Sequence, residues 1–292
     1  MNNQDILIGY MKSQKENERR PNTLKNKTSI IKRLIDYIAD KSLSQVDVMM
    51  LEDFLRQQHI QKSSRKVYLI NLRKFFQYLI SRELMTKNPA EVLLGELGKV
   101  KKNGKDENGK DKKMALTLDE VKKLLRATLN PRDRAILMLL AKTGIRQAEV
   151  THIRVPDVDF KNMTIYVSDR KGGKDSLLPM DVELAQSLQM AINIRGAASC
   201  KDDFLFTSYL HAGLTPLMIW HIVKKAGERA GIKIHTHMFR HTFTTFLSEN
   251  RCLPAVIEKL RGDEPTNMTG YYTHLDFEVI RKEYLASMPN LL

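Results

Sequence analysis

Apolar residues in the first hundred positions recur at a spacing of about 3.6 residues, which places them on one face of a helix. Two long stripes show the pattern most clearly, one formed by Ile30, Ile31, Leu34, Ile35 and Ile38 and the other by Tyr68, Leu72, Phe75, Phe76 and Leu79. Shorter helical runs surround residues 6–11 and 48–55. The pattern therefore predicts a small all-helical domain over residues 1–97.

The hydrophobic pattern stops abruptly over residues 99–113. This segment contains seven lysines, three acidic residues and two glycines, and its only large apolar side chain is Val100. It cannot bury enough surface to offset the entropy that is lost when a chain becomes ordered. We therefore expect a basic, flexible linker over residues 98–114.

Beyond the linker, the pattern predicts a mixture of helices and short strands. Thr117 and Glu120 fit a capping box at the start of an amphipathic helix, and the nearly all-apolar run 134–142 predicts a buried central helix that ends at Gly144. Strands are predicted at 158–167 and 176–180, and further helices at 182–194, 216–230, 239–249 and 254–259. The second domain, 115–292, is thus expected to be mainly α-helical with one small β-sheet.

Charge adds a prediction about the partner. The 292 residues include 48 Lys and Arg against 34 Asp and Glu, a net charge of +14, which favours a polyanionic partner. Charge alone is equally compatible with a generically basic soluble protein.

Three further features point to the cytoplasm and away from a membrane. The longest wholly apolar run, 135–141, is far shorter than the roughly 20 residues that span a bilayer. The N-terminal residues do not resemble a secretion signal, and two cysteines, Cys200 and Cys252, form neither a metal-binding pattern nor a disulfide framework. A reducing cytosol is therefore expected.

Arg146 is the first candidate for site chemistry. It follows the predicted helix end at Gly144 by two residues and precedes Glu149 by three, so the carboxylate can orient the guanidinium across one helical turn. A guanidinium held in this way can bind two phosphate oxygens. The simpler interpretation is an ordinary Arg–Glu ion pair.

The segment 170–174, Arg-Lys-Gly-Gly-Lys, lies at the predicted turn between the strands. It is not a P-loop, because Ser168 replaces the first glycine of that motif and Asp175 replaces its Ser or Thr. A lysine on a mobile turn can still close onto a substrate and deliver a proton. The alternative is a solvated hairpin tip.

Two later segments add candidates. His237 and Arg240 are three residues apart at a helix start and are expected to share a face, although a histidine there is often a packing residue. His241 is expected to point elsewhere. Tyr271 and Tyr272 precede the last predicted helix, and either tyrosine can be a core residue instead.

Read in chain order, the segments 143–149, 170–174, 237–241 and 271–274 resemble the catalytic signature of the tyrosine recombinases of the Xer and phage-integrase type. The resemblance covers residues 115–280 specifically and the N-terminal part loosely. It implies a SAM-like helical core-binding domain and a mixed α/β catalytic domain that clamp double-stranded DNA.

The resemblance also implies the reaction. Tyr272, with Tyr271 as the alternative, attacks a backbone phosphate to form a 3′-phosphotyrosyl link, and Arg146 and Arg240 bind the phosphate. His237 acts as the base, and Lys171 matches the family's catalytic lysine, which protonates the leaving 5′-oxygen. The covalent intermediate conserves the phosphodiester energy, so no cofactor, ATP or metal is expected.

The family's assembly is a tetramer on paired DNA sites, and accessory proteins are further expected partners. The final segment, 276–292, carries large apolar side chains that include Phe277, Val279, Ile280, Leu285, Met288 and Leu291. It is expected to dock, and the resemblance places it on a neighbouring protomer.

One position departs from the family pattern. Asp263 stands where His or Trp is usual, and a carboxylate cannot donate a hydrogen bond to phosphate near neutral pH. A catalytically weakened DNA-binding homologue therefore stays open. So do a type IB topoisomerase that relaxes DNA without site preference and an unrelated basic helical nucleic-acid-binding protein.

Overall fold

The computed structural model describes residues 2–17, 21–98, 114–170, 174–195, 203–210, 212–262 and 275–292. The chain divides into two compact units, Met1–Lys105 and Asp106–Leu292. Most of the expected linker, residues 99–113, lies outside the described part, as do Lys171, Asp263, Tyr271, Tyr272 and Cys200.

The described part of the first unit is helical. Its α-helices are α1 (Asn3–Asn17), α2 (Pro21–Ile38), α3 (Val48–Gln57), α4 (Lys62–Ser81) and α5 (Pro89–Gly98). Both predicted stripes are confirmed, because every member except Tyr68 is buried in one common core. Tyr68 is partly buried, and its hydroxyl accepts a hydrogen bond from Arg33 at 2.8 Å.

The second unit surrounds a buried helix. Its helices are α6 (Leu118–Ala127), α7 (Pro131–Thr143), α8 (Gln147–Val150), α9 (Val182–Arg195), α10 (Pro216–Ala230), α11 (Thr236–Glu249), α12 (Pro254–Arg261) and α13 (Phe277–Ser287). The capping box of Thr117 and Glu120 is confirmed at the start of α6. Helix α7 is buried from Ala135 to Thr143 and packs against α9 and α11, so it is the predicted central helix.

Three antiparallel strands form the sheet in the order β1 (Val158–Asp159), β2 (Thr164–Arg170) and β3 (Lys174–Pro179). The single strand predicted at 158–167 is wrong, because a turn divides it. Asp159 initiates that turn: its carboxylate accepts hydrogen bonds from the backbone N–H groups of Lys161 and Asn162, both at 2.9 Å. Helix propensity and strand alternation do not reveal such a side-chain turn.

The C-terminal segment docks as expected, but in this structure it packs on the core of its own unit. Ile280, Tyr284, Met288 and Leu291 are buried there, whereas Val279 and Leu285 are exposed. Docking on a neighbouring protomer stays a prediction.

A buried ion cluster holds the last residues of the chain. The ammonium of Lys142 on α7 pairs with Asp181 and, at 2.7 Å, with Glu183, and it donates to the carbonyl of Pro289 at 2.9 Å. Glu183 in turn accepts the N–H groups of Leu291 and Leu292, at 2.8 and 2.9 Å. The hydrophobic pattern gave no sign that a lysine would be buried in this helix.

Within the described residues, no helix is long and apolar enough to cross a membrane.

Candidate active site

The end of α7 determines where Arg146 lies. Gly144 ends the helix in the left-handed conformation, at φ +60°, and Arg146 is the N-cap residue of the short helix α8. A Cβ on Gly144 would come within 2.6 Å of the Phe243 ring, so glycine is required for space as well as for its backbone angle. The chain therefore turns sharply from a buried helix to a surface-reaching arginine.

Glu149 holds Arg146 as predicted. One carboxylate oxygen accepts from the guanidinium Nη1 and the other from the backbone N–H of Arg146, both at 2.8 Å. The Arg146 side chain is 28% exposed and that of Glu149 only 6% exposed. The carboxylate is thus buried beneath a guanidinium that reaches the surface, which suits an arginine that binds a phosphate from solvent.

Arg240 lies on α11 and is only 3% exposed. Its Nη1 donates to the carbonyl of Gly144 at 2.9 Å, and its Nη2 donates to the carbonyl of Arg261 at 3.0 Å. The side chain therefore joins the end of α7 to the end of α12. It brings the second guanidinium close to the turn that carries Arg146.

His237 lies in the first turn of α11 and is more exposed than Arg240. Its ring packs edge-on against that of His241, with centroids 4.9 Å apart and planes at 85°. The expectation that His241 points elsewhere is therefore wrong, because residues four apart in a helix are neighbours. Burial lowers the pKa of His237, and the positive charges of His241 and Arg240 lower it further.

The sequence pattern gives Arg170 no role of its own and leaves a solvated hairpin tip open for its segment, whereas the structure buries it. The side chain is 1% exposed; its Nη1 donates to the carbonyl of Leu260 at 2.9 Å and its Nη2 to that of Arg261 at 2.7 Å. Its Nε lies 3.5 Å from a carboxylate oxygen of Glu149. Arg170 thus contacts both the Arg146 pair and the end of α12.

A β-bulge explains why the alternation of strand residues does not predict the burial of Arg170. Val167 pairs with Ser176 but Arg170 pairs with Lys174, so the register shifts by one residue between them. Strict alternation places residue 170 on the face of the exposed Tyr166, and the extra residue turns it to the buried face instead. In the sequence, the only sign of a bulge is that Arg170 lies close to the turn glycines. That position does not show whether its side chain lies on the buried or the exposed face of the sheet.

The described structure therefore brings together Arg146, His237 and Arg240 of the predicted set. Lys171 and Tyr272 lie outside the described residues, as does the departing position Asp263. Arg170 directly precedes Lys171, and Gly262 directly precedes Asp263. Among the described residues, no cluster of three or more His, Cys, Asp or Glu side chains is arranged to hold a metal ion.

A helical N-terminal unit followed by a mainly helical unit with one small antiparallel sheet is the fold of the tyrosine recombinases, enzymes that cleave and rejoin DNA strands. Residues 114–279 match the phage integrase family, and residues 6–98 match the phage integrase SAM-like domain. The chain therefore belongs to the phage integrase family, the tyrosine recombinases.

Relatives and solved structures agree with this assignment. The tyrosine recombinase XerC of Pseudomonas syringae pv. syringae (strain B728a) is 30% identical over 259 residues, which are 85% of this chain and 82% of that protein. The Tn1549 transposon integrase (residues 82–397) in complex with circular intermediate DNA has the same fold, with a TM-score of 0.71 at 19% identity, over 95% of this chain and 98% of that one. A lambda integrase tetramer bound to a Holliday junction gives a TM-score of 0.70 at 18% identity, over 90% and 78%.

Proposed function

We propose that Arg146, Lys171, His237, Arg240 and Tyr272 carry out site-specific DNA strand exchange in this chain. The observation that carries the proposal is the convergence of Arg146 and Arg240, from distant parts of the sequence, at the end of α7. Arg240 binds the carbonyl of Gly144, two residues before Arg146, so one short turn fixes both guanidinium groups. Two fixed guanidiniums suit a phosphate that gains charge in the transition state.

The proposed residues account for every bond and proton that the reaction moves. The Tyr272 Oη–P bond forms as the P–O5′ bond breaks, His237 accepts the tyrosine proton, and Lys171 gives a proton to the leaving 5′-oxygen. Ionising a free tyrosine at pH 7 costs roughly 4 kcal/mol, because its pKa is about three units higher. The lowered pKa of His237 keeps its ring neutral and able to take this proton as attack proceeds. A 5′-hydroxyl from the partner strand then reverses the step.

The substrate is double-stranded DNA, and the working assembly is a homotetramer on paired sites. The net charge of +14 supports a polyanionic substrate, and the DNA complexes of the transposon and lambda integrases support this choice. We assign residues 1–97 to core-site binding, 98–114 to the linker and 115–292 to catalysis. The cytoplasm is the proposed location, and accessory proteins are further proposed partners.

A suicide substrate tests the function and the choice of tyrosine together. On a nicked half-site, the short fragment that carries the new 5′-hydroxyl diffuses away after cleavage. The covalent protein–DNA adduct therefore accumulates. We expect Tyr272→Phe to retain DNA binding and form no adduct, and the matched Tyr271→Phe to form it.

The other outcomes are equally informative. Adduct with Tyr272→Phe but not with Tyr271→Phe assigns the nucleophile to Tyr271. If the unchanged protein binds the site and never forms adduct, the chain is a DNA-binding homologue, and the departure at Asp263 is the first position to restore.

A further inference from the structure

We propose that Arg170 is a positioning residue for strand cleavage, which sets Arg146 and the end of α12 in place around the scissile phosphate. The inference rests on the proposed function of the site. It adds to that function a buried cation on the sheet, outside the residues that the resemblance assigns.

The first observation is the contact with α12. Arg170 donates to the carbonyls of both Leu260 and Arg261, the last two residues of the helix. Carbonyls at a helix C-terminus carry partial negative charge and lack partners within the helix, so a guanidinium fork satisfies two of them at once. Arg240 donates to the same Arg261 oxygen, at 3.0 Å. Arg170 and Arg240 therefore fix one carbonyl from two sides.

The second observation is the contact with Glu149. Its Oε2 lies 3.5 Å from Arg170 Nε and also accepts the backbone N–H of Arg146, while its Oε1 binds the Arg146 guanidinium. The buried carboxylate is thus shared by two cations. Without Arg170, Arg146 becomes the main partner of a charge that is 6% exposed, and the carboxylate draws it inward and away from the phosphate.

Two features of the chain make room for this guanidinium. The bulge between Val167 and Arg170 turns the side chain inward. Gly262, the C-cap residue of α12, leaves open the space that a Cβ would occupy at 2.8 Å from the Arg170 Cζ. The Arg170 side chain thus lies against Gly262. In the sequence, Arg170 directly precedes the candidate Lys171, and Gly262 directly precedes Asp263.

The test compares cleavage of a charged and an uncharged substrate. A loss of positioning slows the two reactions unequally, whereas a loss of protein stability slows them equally. Cleavage is measured in single turnovers on two suicide half-sites, one with an ordinary scissile phosphate and one with an uncharged methylphosphonate. Arginines that neutralise charge matter less on the second substrate. We expect Arg170→Met to slow cleavage about 100-fold on the phosphate and less than about tenfold on the methylphosphonate, because a displaced Arg146 loses a contact to the developing charge and one such contact is worth about this much.

Two readouts accompany the rates. Half-site affinity of Arg170→Met is expected to stay within about threefold of the unchanged protein, because the effect belongs to the transition state. Arg170→Lys retains the charge but lacks the planar fork. Its cleavage rate on the phosphate is therefore expected to lie between those of the unchanged protein and Arg170→Met.

Lys142→Met is the matched control. It also removes a buried cation from this unit, but one whose ion pairs are with Asp181 and Glu183. We expect it to lower the melting temperature and leave the ratio of the two rates unchanged. All rates are measured well below the melting temperature of the least stable variant.

Several results would overturn the proposal. Equal slowing of Arg170→Met on both substrates, or the same change of ratio in Lys142→Met, shows that Arg170 acts only through stability. If Arg170→Met does not fold, Gly262→Ala takes its place, because its Cβ presses on the guanidinium, and an unchanged ratio there refutes the role. A failure of the proposed function is distinguishable, since the unchanged protein then forms no Tyr272-dependent adduct on either substrate.

Discussion

His237 can accept a proton only while its ring is neutral. Burial and the nearby positive charges of His241, Arg240, His235 and Arg146 all lower its pKa. Protonation therefore occurs below the ordinary histidine value of about 6.5, and the ring is neutral at pH 7. The two arginines proposed to bind the phosphate thus also favour the neutral form of the proposed base.

This predicts an acid limb in the cleavage rate. Above the lowered pKa, the neutral ring takes the Tyr272 proton; as the pH falls through that pKa, the ring becomes protonated and the rate falls. In a pH profile of single-turnover cleavage, we expect the limb to lie below about pH 6.5. His237→Gln should lower the rate at pH 7 about 100-fold and remove the limb.

His241→Gln is the control for this profile. The pKa of His241 is also lowered, first by burial and then by Arg261. We expect its replacement to retain the limb and shift the midpoint upward, because a positive neighbour of His237 is lost. A limb that survives His237→Gln and vanishes in His241→Gln would assign the base to His241.

At the scale of elements, the turn after α7 organises the site. The carbonyl of Gly144 accepts a hydrogen bond from Arg240, and the φ angle of Gly144, +60°, turns the chain toward Arg146. Because Gly144 has no Cβ, the Phe243 ring can pack against it. Helices α7, α8 and α11 therefore meet at one residue. A change there is expected to disturb both stability and catalysis.

Gly144→Ala tests this meeting point. We expect a loss of about 2–4 kcal/mol in the free energy of unfolding, from left-handed strain and from overlap with Phe243, together with slower cleavage. Gly231→Ala is the matched control, since Gly231 ends α10 at φ +65° with nothing within 4 Å of an added Cβ. It should cost only about 1 kcal/mol and leave cleavage unchanged. Chemical denaturation of both variants measures the difference, and equal losses would contradict the packing role.

At the scale of the whole molecule, charge dominates the prediction about DNA. Lys and Arg exceed Asp and Glu by 14, and seven of the lysines lie in the segment 99–113. A protein that contacts many phosphates releases counterions on binding, so the logarithm of affinity falls linearly with the logarithm of salt concentration.

We expect half-site affinity to fall at least about 1,000-fold between roughly 50 and 200 mM salt. Titrations by fluorescence anisotropy at several salt concentrations give the slope. Replacing the seven lysines of 99–113 with glutamine shows whether that segment contacts phosphate: each lost contact reduces the slope by about 0.9. A slope near zero for the unchanged protein would contradict an electrostatic clamp on DNA.

Most of the helices and one ion pair of the site can be predicted from local patterns in the sequence. Long stripes such as Leu72 to Leu79 and strong local signals such as the capping box of Thr117 and Glu120 depend on nearest neighbours along the chain, so they can be read without the fold. The Arg146–Glu149 pair is of the same kind, because three residues along a helix start suffice to bring the groups together. Charge and the order of motifs led to the family.

Packing of distant segments, in contrast, sets which groups share an environment. Arg170 meets residues some 90 positions later because a one-residue bulge turned it inward, and a period-2 pattern cannot show a bulge. Lys142, which directly follows the apolar run 135–141 of α7, is buried because Asp181 and Glu183 approach it from a distant part of the sequence. Burial of a charge depends on partners from distant segments, and those partners are brought together by packing of the whole unit, which no local pattern encodes.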